Sequence, residues 1–285
     1  MSLRVSLARA TAELAEAGVP SPDFDAAELA AHVLGISRAG LLTAAGLDEK
    51  QAERYAELVA ERARRVPLQH LTGVAGFRYL ELAVGPGVFV PRPETELLAG
   101  WGIEAAGMLG TPIVVDLCSG SGAIALSVAS ECPAAVVYGV EREEYALAWA
   151  RRNADARAAA GDRPVTLIRG DATDPAVLAE LDGTVDVVLT NPPYVPDDAE
   201  VAPEAAEHDP AAALWGGPDG LAVVRRLIAR AALLLKPGGV MGVEHADVQG
   251  AALPRLFTEA GGWIDVADHR DLAGRDRYTT ARRAG

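Results

Sequence analysis

Cysteine, basic charge and long apolar runs are all scarce in this 285-residue chain. Two cysteines, Cys118 and Cys132, are too few for a disulfide framework or a cysteine-based zinc cluster, and they fit a reducing, cytoplasmic compartment. The five histidines, His32, His70, His208, His245 and His269, show no metal-ligand spacing, so no metal is expected. No run approaches the roughly 18 uninterrupted apolar residues that a spanning helix needs, so no membrane role is expected. The opening MSLRVSLARATAELAEAG carries acids from position 13 and lacks an apolar core with a cleavage site, and it reads as a helix of the mature protein. Lys and Arg number 26 against 40 Asp and Glu, for a net charge of −14. The imbalance is local: residues 1–90 hold 9 basic and 11 acidic side chains, residues 91–285 hold 17 and 29. A protein that grips phosphate backbones would show the opposite balance.

Half the residues are hydrophobic, enough for a substantial core at this length and too many for a disordered chain. Residues 1–75 read as a small helical domain. Ser21-Pro22 has the form of an N-cap and first helical residue, and Asp48 with Gln51 resembles a capping box opening a helix that runs to about Arg65. From 76 to 90 the period changes to two: Phe77, Tyr79 and the 80–84 run lead through Gly85-Pro86-Gly87 to Val88-Phe89-Val90, a hairpin signal that marks a linker. Residues 91–285 form the third part. After Pro91-Arg92-Pro93 and a helix near 94–109, apolar and largely β-branched runs at 113–115, 136–140, 165–168, 185–189 and 240–243 alternate with helix-length segments. That pattern predicts an α/β fold with a mostly parallel sheet covered on both faces. Runs at 263–267 and 278–281 have no room for a helix between them and predict an antiparallel pair at one edge.

In such a sheet the ligand sits beyond the carboxyl ends of the strands. The first run is followed by Asp116-Leu117-Cys118-Ser119-Gly120-Ser121-Gly122, a Gly-rich turn opening a helix, where a backbone without Cβ can approach a ligand. Glu141 ends the second run and suits the two hydroxyls of a ribose. Asp171-Ala172 follows the third; the acid there accepts from an exocyclic amine or caps the next segment. Gly120, Gly122 and Ala125 also satisfy a dinucleotide fingerprint, so an NAD-binding oxidoreductase explains this part equally. The fourth run ends in Asn191-Pro192-Pro193-Tyr194, which an oxidoreductase leaves without a task. Two prolines stiffen the backbone and remove donors, so the Asn191 side-chain oxygen and the Pro192 carbonyl become rigid acceptors beside an aromatic ring, an arrangement suited to a planar NH₂ group.

Asp-x-x-x-Gly-x-Gly, the acid after the second strand and Asn-Pro-Pro-Tyr together resemble the S-adenosylmethionine-dependent methyltransferases that modify planar NH₂ nitrogens. The stretch Phe89-Val90-Pro91-Arg92-Pro93-Glu94-Thr95-Glu96, the helical N-terminal part and the hairpin narrow this to a resemblance to the protein-(glutamine-N5) methyltransferases, most closely the branch acting on peptide chain release factors. The resemblance spans essentially the whole chain, including His208-Asp209-Pro210 and residues 216–221. It implies a class I, Rossmann-like methyltransferase domain with a seven-stranded sheet, an N-terminal domain that selects the protein substrate, and methyl transfer from S-adenosylmethionine to a glutamine side-chain nitrogen, that of the GGQ motif in release factors. It places the cofactor on Asp116, Cys118, Ser119, Gly120, Ser121, Gly122, Glu141, Asp171, Ala172 and Asn191. It gives catalysis to Asn191, Pro192 and Tyr194, and substrate contact to these with Pro193 and Arg92. Arg92 with Glu94 also fits a helix-start ion pair, and Glu244-His245 is a further candidate for the pocket wall.

Two positions depart from the family pattern: Cys118 stands where glycine is common, and Ala172 where a bulky aromatic is common. A ribosomal protein offers the same glutamine side chain, and an adenine-N6 methyltransferase on nucleic acid presents the same planar NH₂. Against direct nucleic-acid binding, the 195–215 stretch holds Asp197, Asp198, Glu200, Glu204, Glu207 and Asp209 with no Lys or Arg.

Overall fold

The computed structural model describes residues 2–285, which divide into two compact units. One contains residues up to Val74, Val84–Pro86 and Val201–His208; the other contains Ala75–Ala83, Gly87–Glu200 and Asp209–Gly285.

The first unit is helical: α1 (Leu3–Glu16), α2 (Pro22–Leu34), α3 (Glu49–Ala63) and the short α4 (Leu68–Thr72). Its core is built from Leu14, Leu29, Leu58 and Tyr55, whose hydroxyl donates to the Ala26 carbonyl at 3.0 Å. The Asp48 capping box forms in full: the Gln51 amide donates to Asp48 Oδ1 at 2.8 Å and the Asp48 amide to Gln51 Oε1 at 3.0 Å. Ser21 stands at the N-cap of α2 as predicted, but its side chain makes no capping bond. Residues 201–208 join this unit through Glu204, which accepts from Arg62 at 2.9 Å and from Arg65 at 2.6 Å.

The hairpin consists of β1 (Val74–Phe77) and β2 (Leu80–Ala83). Its turn is Arg78-Tyr79, not the Gly85-Pro86-Gly87 that the sequence points to, and residues 88–90 form no strand. The reason lies in a long-range ion pair. Arg78 takes a left-handed φ of 51°, unfavourable for a side chain bearing Cβ, while its guanidinium forks onto Glu131 at 2.5 and 2.7 Å and donates to the Glu96 carbonyl at 3.0 Å. No local composition rule could see that partner 53 residues away.

The second unit continues α5 (Thr95–Gly107), β3 (Ile113–Leu117), α6 (Ala123–Glu131), β4 (Val136–Glu141), α7 (Glu144–Ala159), β5 (Thr166–Arg169) and β6 (Val185–Thr190). After the short α8 (Pro203–His208, in the first unit) and α9 (Ala211–Leu214) come α10 (Ala222–Leu234), β7 (Leu235–Glu244), α11 (Ala252–Ala260), β8 (Trp263–Arg270) and β9 (Asp276–Arg283). The seven strands lie in the order β5-β4-β3-β6-β7-β9-β8; β3 to β7 pair in parallel, and β9 enters antiparallel between β7 and the edge strand β8. This is the class I methyltransferase arrangement. The predicted runs all become strands, and β7 begins earlier than its apolar stretch because Val185 pairs with Leu235 before a register shift carries the ladder on to Val240.

Register aligns the strand ends. Leu117 lies beside Val140 and Thr190, Glu141 beside Arg169, and Thr190 beside Val243, so the segments that follow β3, β4, β5, β6 and β7 emerge along one rim. The order reverses at β3, where a crevice opens. Helix α5 reaches this rim because Gly102 has no Cβ: one placed there would lie 2.4 Å from Leu189 of β6. The close approach brings Thr95, first residue of α5, beside Asn191, first residue beyond β6.

Candidate active site

A cavity of about 1200 Å³, counted with its open mouth, lies in the second unit beyond these strand ends. Cys118, Ser119, Gly120 and Ser121 line it from the turn after β3, Glu141 from the end of β4, Asp171 and Ala172 from beyond β5, and Asn191, Pro193 and Tyr194 from beyond β6. Four segments far apart in sequence thus meet at one surface.

The Gly-rich turn has a specific geometry. Cys118 has φ 70°, Gly120 φ 55° and Gly122 φ 86°, three left-handed residues in five. Cys118 therefore occupies a conformation that favours glycine, which accounts for the glycine common at this position in the resembling family. A Cβ on Gly120 would meet nothing within 4 Å, so the backbone there borders open space. A Cβ on Gly122 would touch Leu126 at 3.0 Å; that glycine serves the packing of α6 and does not line the cavity. Asp116, 1% exposed, is likewise not part of the lining: its Oδ2 accepts from the Ala125 amide at 3.2 Å at the start of α6. Its Oδ1 is buried without a partner, and burial pushes its carboxyl up to about 7.

Glu141 is held from both sides. Oε2 accepts from the Gly120 amide at 2.8 Å and Oε1 from the Glu143 amide at 2.7 Å, tying the end of β4 to the glycine turn. Burial raises its pKa, with backbone bonds from Glu143 and Gly120 opposing. Asp171 caps a turn, not a helix: its Oδ1 accepts from the Thr173 amide at 2.8 Å and hydroxyl at 2.6 Å, and these bonds hold its pKa low. Ala172 is buried at the cavity wall, and the aromatic lining comes from Phe77, Phe89 and Tyr194.

Asn191 donates its Nδ2 to Thr95 Oγ1 at 3.1 Å, which sets the orientation of the amide and leaves Oδ1 as the acceptor available to a ligand. Pro192 is buried and is not part of the lining. The Tyr194 hydroxyl donates to Glu244 Oε1 at 3.1 Å.

Other predicted partners lie elsewhere. Arg92 is not part of the lining; its guanidinium binds Asp209 Oδ2 at 2.8 Å and sits 4.8 Å from the Phe89 ring centre, and the pair with Glu94 does not form. Glu244 and His245 are fully buried and absent from the wall. His245 bonds Asp268 at 2.8 Å on the β8–β9 side, whereas Glu244 reaches the site only through other residues. Sequence reasoning did not find Thr95, whose signal was its place within the Phe89 to Glu96 stretch, nor Arg142 and Leu214 of the wall. No group of metal-ligating side chains exists among the described residues, and no helix there is long and apolar enough to cross a membrane.

Residues 6–73 match the family model described as PrmC N-terminal domain, and residues 106–208 the one described as Methyltransferase small domain. The chain is 53% identical to a protein of Streptomyces coelicolor named release factor glutamine methyltransferase, over 99% of this chain and 98% of that one. A protein of the same name from Mycolicibacterium smegmatis is 48% identical over 99% and 98%. Among solved structures, a 16S rRNA N2 G1207 methyltransferase from T. thermophilus, in complex with AdoMet and guanosine, shares the fold with TM-score 0.53 at 21% identity, covering 74% of this chain and 49% of that one.

Proposed function

The chain belongs to the release factor glutamine methyltransferase family, and we propose from that membership and from the cavity how its residues carry out the reaction. The protein transfers a methyl group from S-adenosylmethionine to the side-chain amide nitrogen of a glutamine in a peptide chain release factor. The glutamine is that of the GGQ motif, residues 1–75 select the substrate, and the reaction takes place in the cytoplasm. The observation that carries the reading is that Gly120, Glu141, Asn191 and Tyr194 line one cavity although they follow three different strands.

The cavity fits a nucleoside carrying a sulfonium. The exposed backbone at Gly120 admits a close ligand, the Glu141 carboxylate at the strand end suits the ribose hydroxyls, and Asp171 keeps Oδ2 for an exocyclic amine. Cys118, Ser119 and Ser121, which line the cavity, would hold the methionine portion, and Ala172 would border the adenine. Asp116 and Gly122 act indirectly, by capping and packing the helix that this turn opens. Bound S-adenosylmethionine supplies an electrophilic methyl on a positively charged sulfur.

An amide nitrogen is a weak nucleophile because its lone pair is delocalised into the carbonyl. Asn191 Oδ1 and the Pro192 carbonyl would accept its two N–H hydrogens, which aims the nitrogen and stabilises the positive charge that grows on it as the N–C bond forms and the methyl–sulfur bond breaks to leave a neutral thioether; one of the two N–H protons then passes to water, giving the neutral N-methyl amide. Tyr194 packs against the amide plane, and its ring face tolerates that charge. Pro193 keeps the turn rigid. Arg92, paired with Asp209, is not part of the lining and makes no direct contact with the amide.

Removing one preorganised acceptor of this kind costs about 10²–10³-fold in turnover. Asn191→Ala is expected to lose that much kcat with its calorimetric affinity for S-adenosylmethionine within a few-fold of the parent. Full turnover in that variant would contradict the role of Oδ1.

A further inference from the structure

Residues 216–221, Gly-Gly-Pro-Asp-Gly-Leu, do not line the cavity. They lie against the backbone of the turn that follows β6. Gly220 takes φ 72°, and a Cβ there would stand 2.1 Å from the Tyr194 carbonyl oxygen and 2.5 Å from Gln249 Nε2. A Cβ on Gly216 would stand 2.7 Å from the Pro193 carbonyl oxygen. Only glycine admits so close an approach. Backbone bonds continue the contact: the Val195 amide donates to the Leu214 carbonyl at 2.9 Å, and the Gly216 amide to the Val195 carbonyl at 2.8 Å.

Gln249, 4% exposed in the short turn beyond β7, joins the two segments and is itself no part of the lining. Its Nε2 donates to the Tyr194 carbonyl at 2.9 Å and to the Asp219 carbonyl at 3.1 Å, while its Oε1 accepts from the Ala246 amide at 2.9 Å. Two carbonyls at one end and an N–H at the other permit one orientation of this amide, and both of its donor hydrogens are used.

The Asn191 to Tyr194 turn needs a hold from outside. Pro192 and Pro193 have no N–H to donate, so neither can be tied down through its own amide. Its front is fixed at Asn191 by Thr95 and its back at the Tyr194 carbonyl by Gln249. The path from that carbonyl to the one of Pro192 runs through the fixed φ of Pro193, so moving one reorients the other.

We propose that Gln249 is a positioning residue of this enzyme, which aims the Pro192 carbonyl at the substrate amide by clamping the Tyr194 carbonyl to the 216–221 loop. The proposal rests on the reading that the Pro192 carbonyl and Asn191 Oδ1 accept from that amide.

The test compares Gln249→Ala, Gln249→Met and Gln249→Glu with the parent, by steady-state kcat and KM on a purified release factor and by calorimetric binding of S-adenosylmethionine. Gln249→Ala and Gln249→Met are each expected to lose at least about tenfold in kcat with cofactor affinity within about twofold, because a misaimed acceptor slows transfer and leaves the cofactor's contacts in place. Gln249→Glu sets an ionised carboxylate against two carbonyl oxygens; once protonated it regains one O–H donor and keeps an acceptor for Ala246. Burial holds such a carboxyl above its ordinary range, so its kcat relative to the parent is expected to rise as pH falls from about 8 to about 6. Loss of packing alone would not produce that profile.

Near-parental kcat in folded Gln249→Ala or Gln249→Met, cofactor affinity that falls in step with kcat, or a Gln249→Glu deficit unchanged across that pH range would overturn the proposal. If neither Gln249→Ala nor Gln249→Met folds, the pH profile of Gln249→Glu decides alone; failure of all three to fold would make Gln249 a folding residue and overturn it as well. Asn191→Ala separates the two claims: if it loses turnover while the Gln249 variants keep theirs, only the positioning role fails. If Asn191→Ala itself turns over normally, the reading beneath it fails.

Discussion

Asn191 was legible in the sequence because two consecutive prolines after an apolar run are rare and can mean little besides rigid acceptors. Thr95 was not legible, since a threonine at the start of a helix has an ordinary structural reason to be there; only its 3.1 Å bond to Asn191, 96 residues away, gives it a role. Cys118 falls between these cases. Its departure from glycine was visible, but that it takes φ 70° at the cavity wall is a fact of the fold. Burial, with the nearby Glu141 and Asp116 carboxylates, pushes its thiol up to about 12, so it carries no thiolate at neutral pH. Native protein is therefore expected to resist iodoacetamide at pH 7.5, with Cys132 protected by burial, and both thiols to react once the chain is denatured. Fast alkylation of Cys118 in the native state would contradict this environment.

At the scale of elements, strands β3 to β7 were readable because burial on both faces leaves continuous β-branched runs. The hairpin was misplaced because a guanidinium from afar overrode the glycine-rich turn signal. Arg78→Ala keeps the left-handed strain and strands Glu131, whose side chain is 18% exposed. It is expected to destabilise the second unit by about 1–3 kcal/mol in chemical denaturation, and an unchanged midpoint would contradict the ion pair's hold on the turn. In the helical unit, burial works against the charge of Glu204, but bonds from Arg65 and Arg62 outweigh it and hold the carboxyl down to about 2. A depressed carboxyl contributes stability above its ordinary titration range, and that contribution disappears as pH falls toward the folded-state value. Glu204→Gln is thus expected to be less stable than the parent at pH 7 by about 1–3 kcal/mol, the gap closing between about pH 4.5 and pH 2. A gap independent of pH would show that the ion pairs contribute nothing.

For the whole molecule, the net charge of −14 is concentrated away from the helical residues, in the part that holds a sulfonium cofactor. Glu141 and Asp171 belong to that excess and line the cavity itself. Charge therefore bears on both ligands: it suits a cation inside and disfavours a polyanion outside. Which protein supplies the glutamine was beyond composition and strand pattern, because any exposed glutamine presents the same amide. The family carries that information through relatives of near-identical length.

The central claim is that the acceptor is a side-chain amide of a release factor, held by Asn191. It is tested most directly by incubating the enzyme with isotopically labelled S-adenosylmethionine and a purified release factor, then locating the label by tandem mass spectrometry. The account predicts one methyl group on the side-chain nitrogen of the GGQ glutamine, accumulating about 10²–10³-fold more slowly with Asn191→Ala. Label on another residue type, or on added nucleic acid and not on the protein, would contradict it.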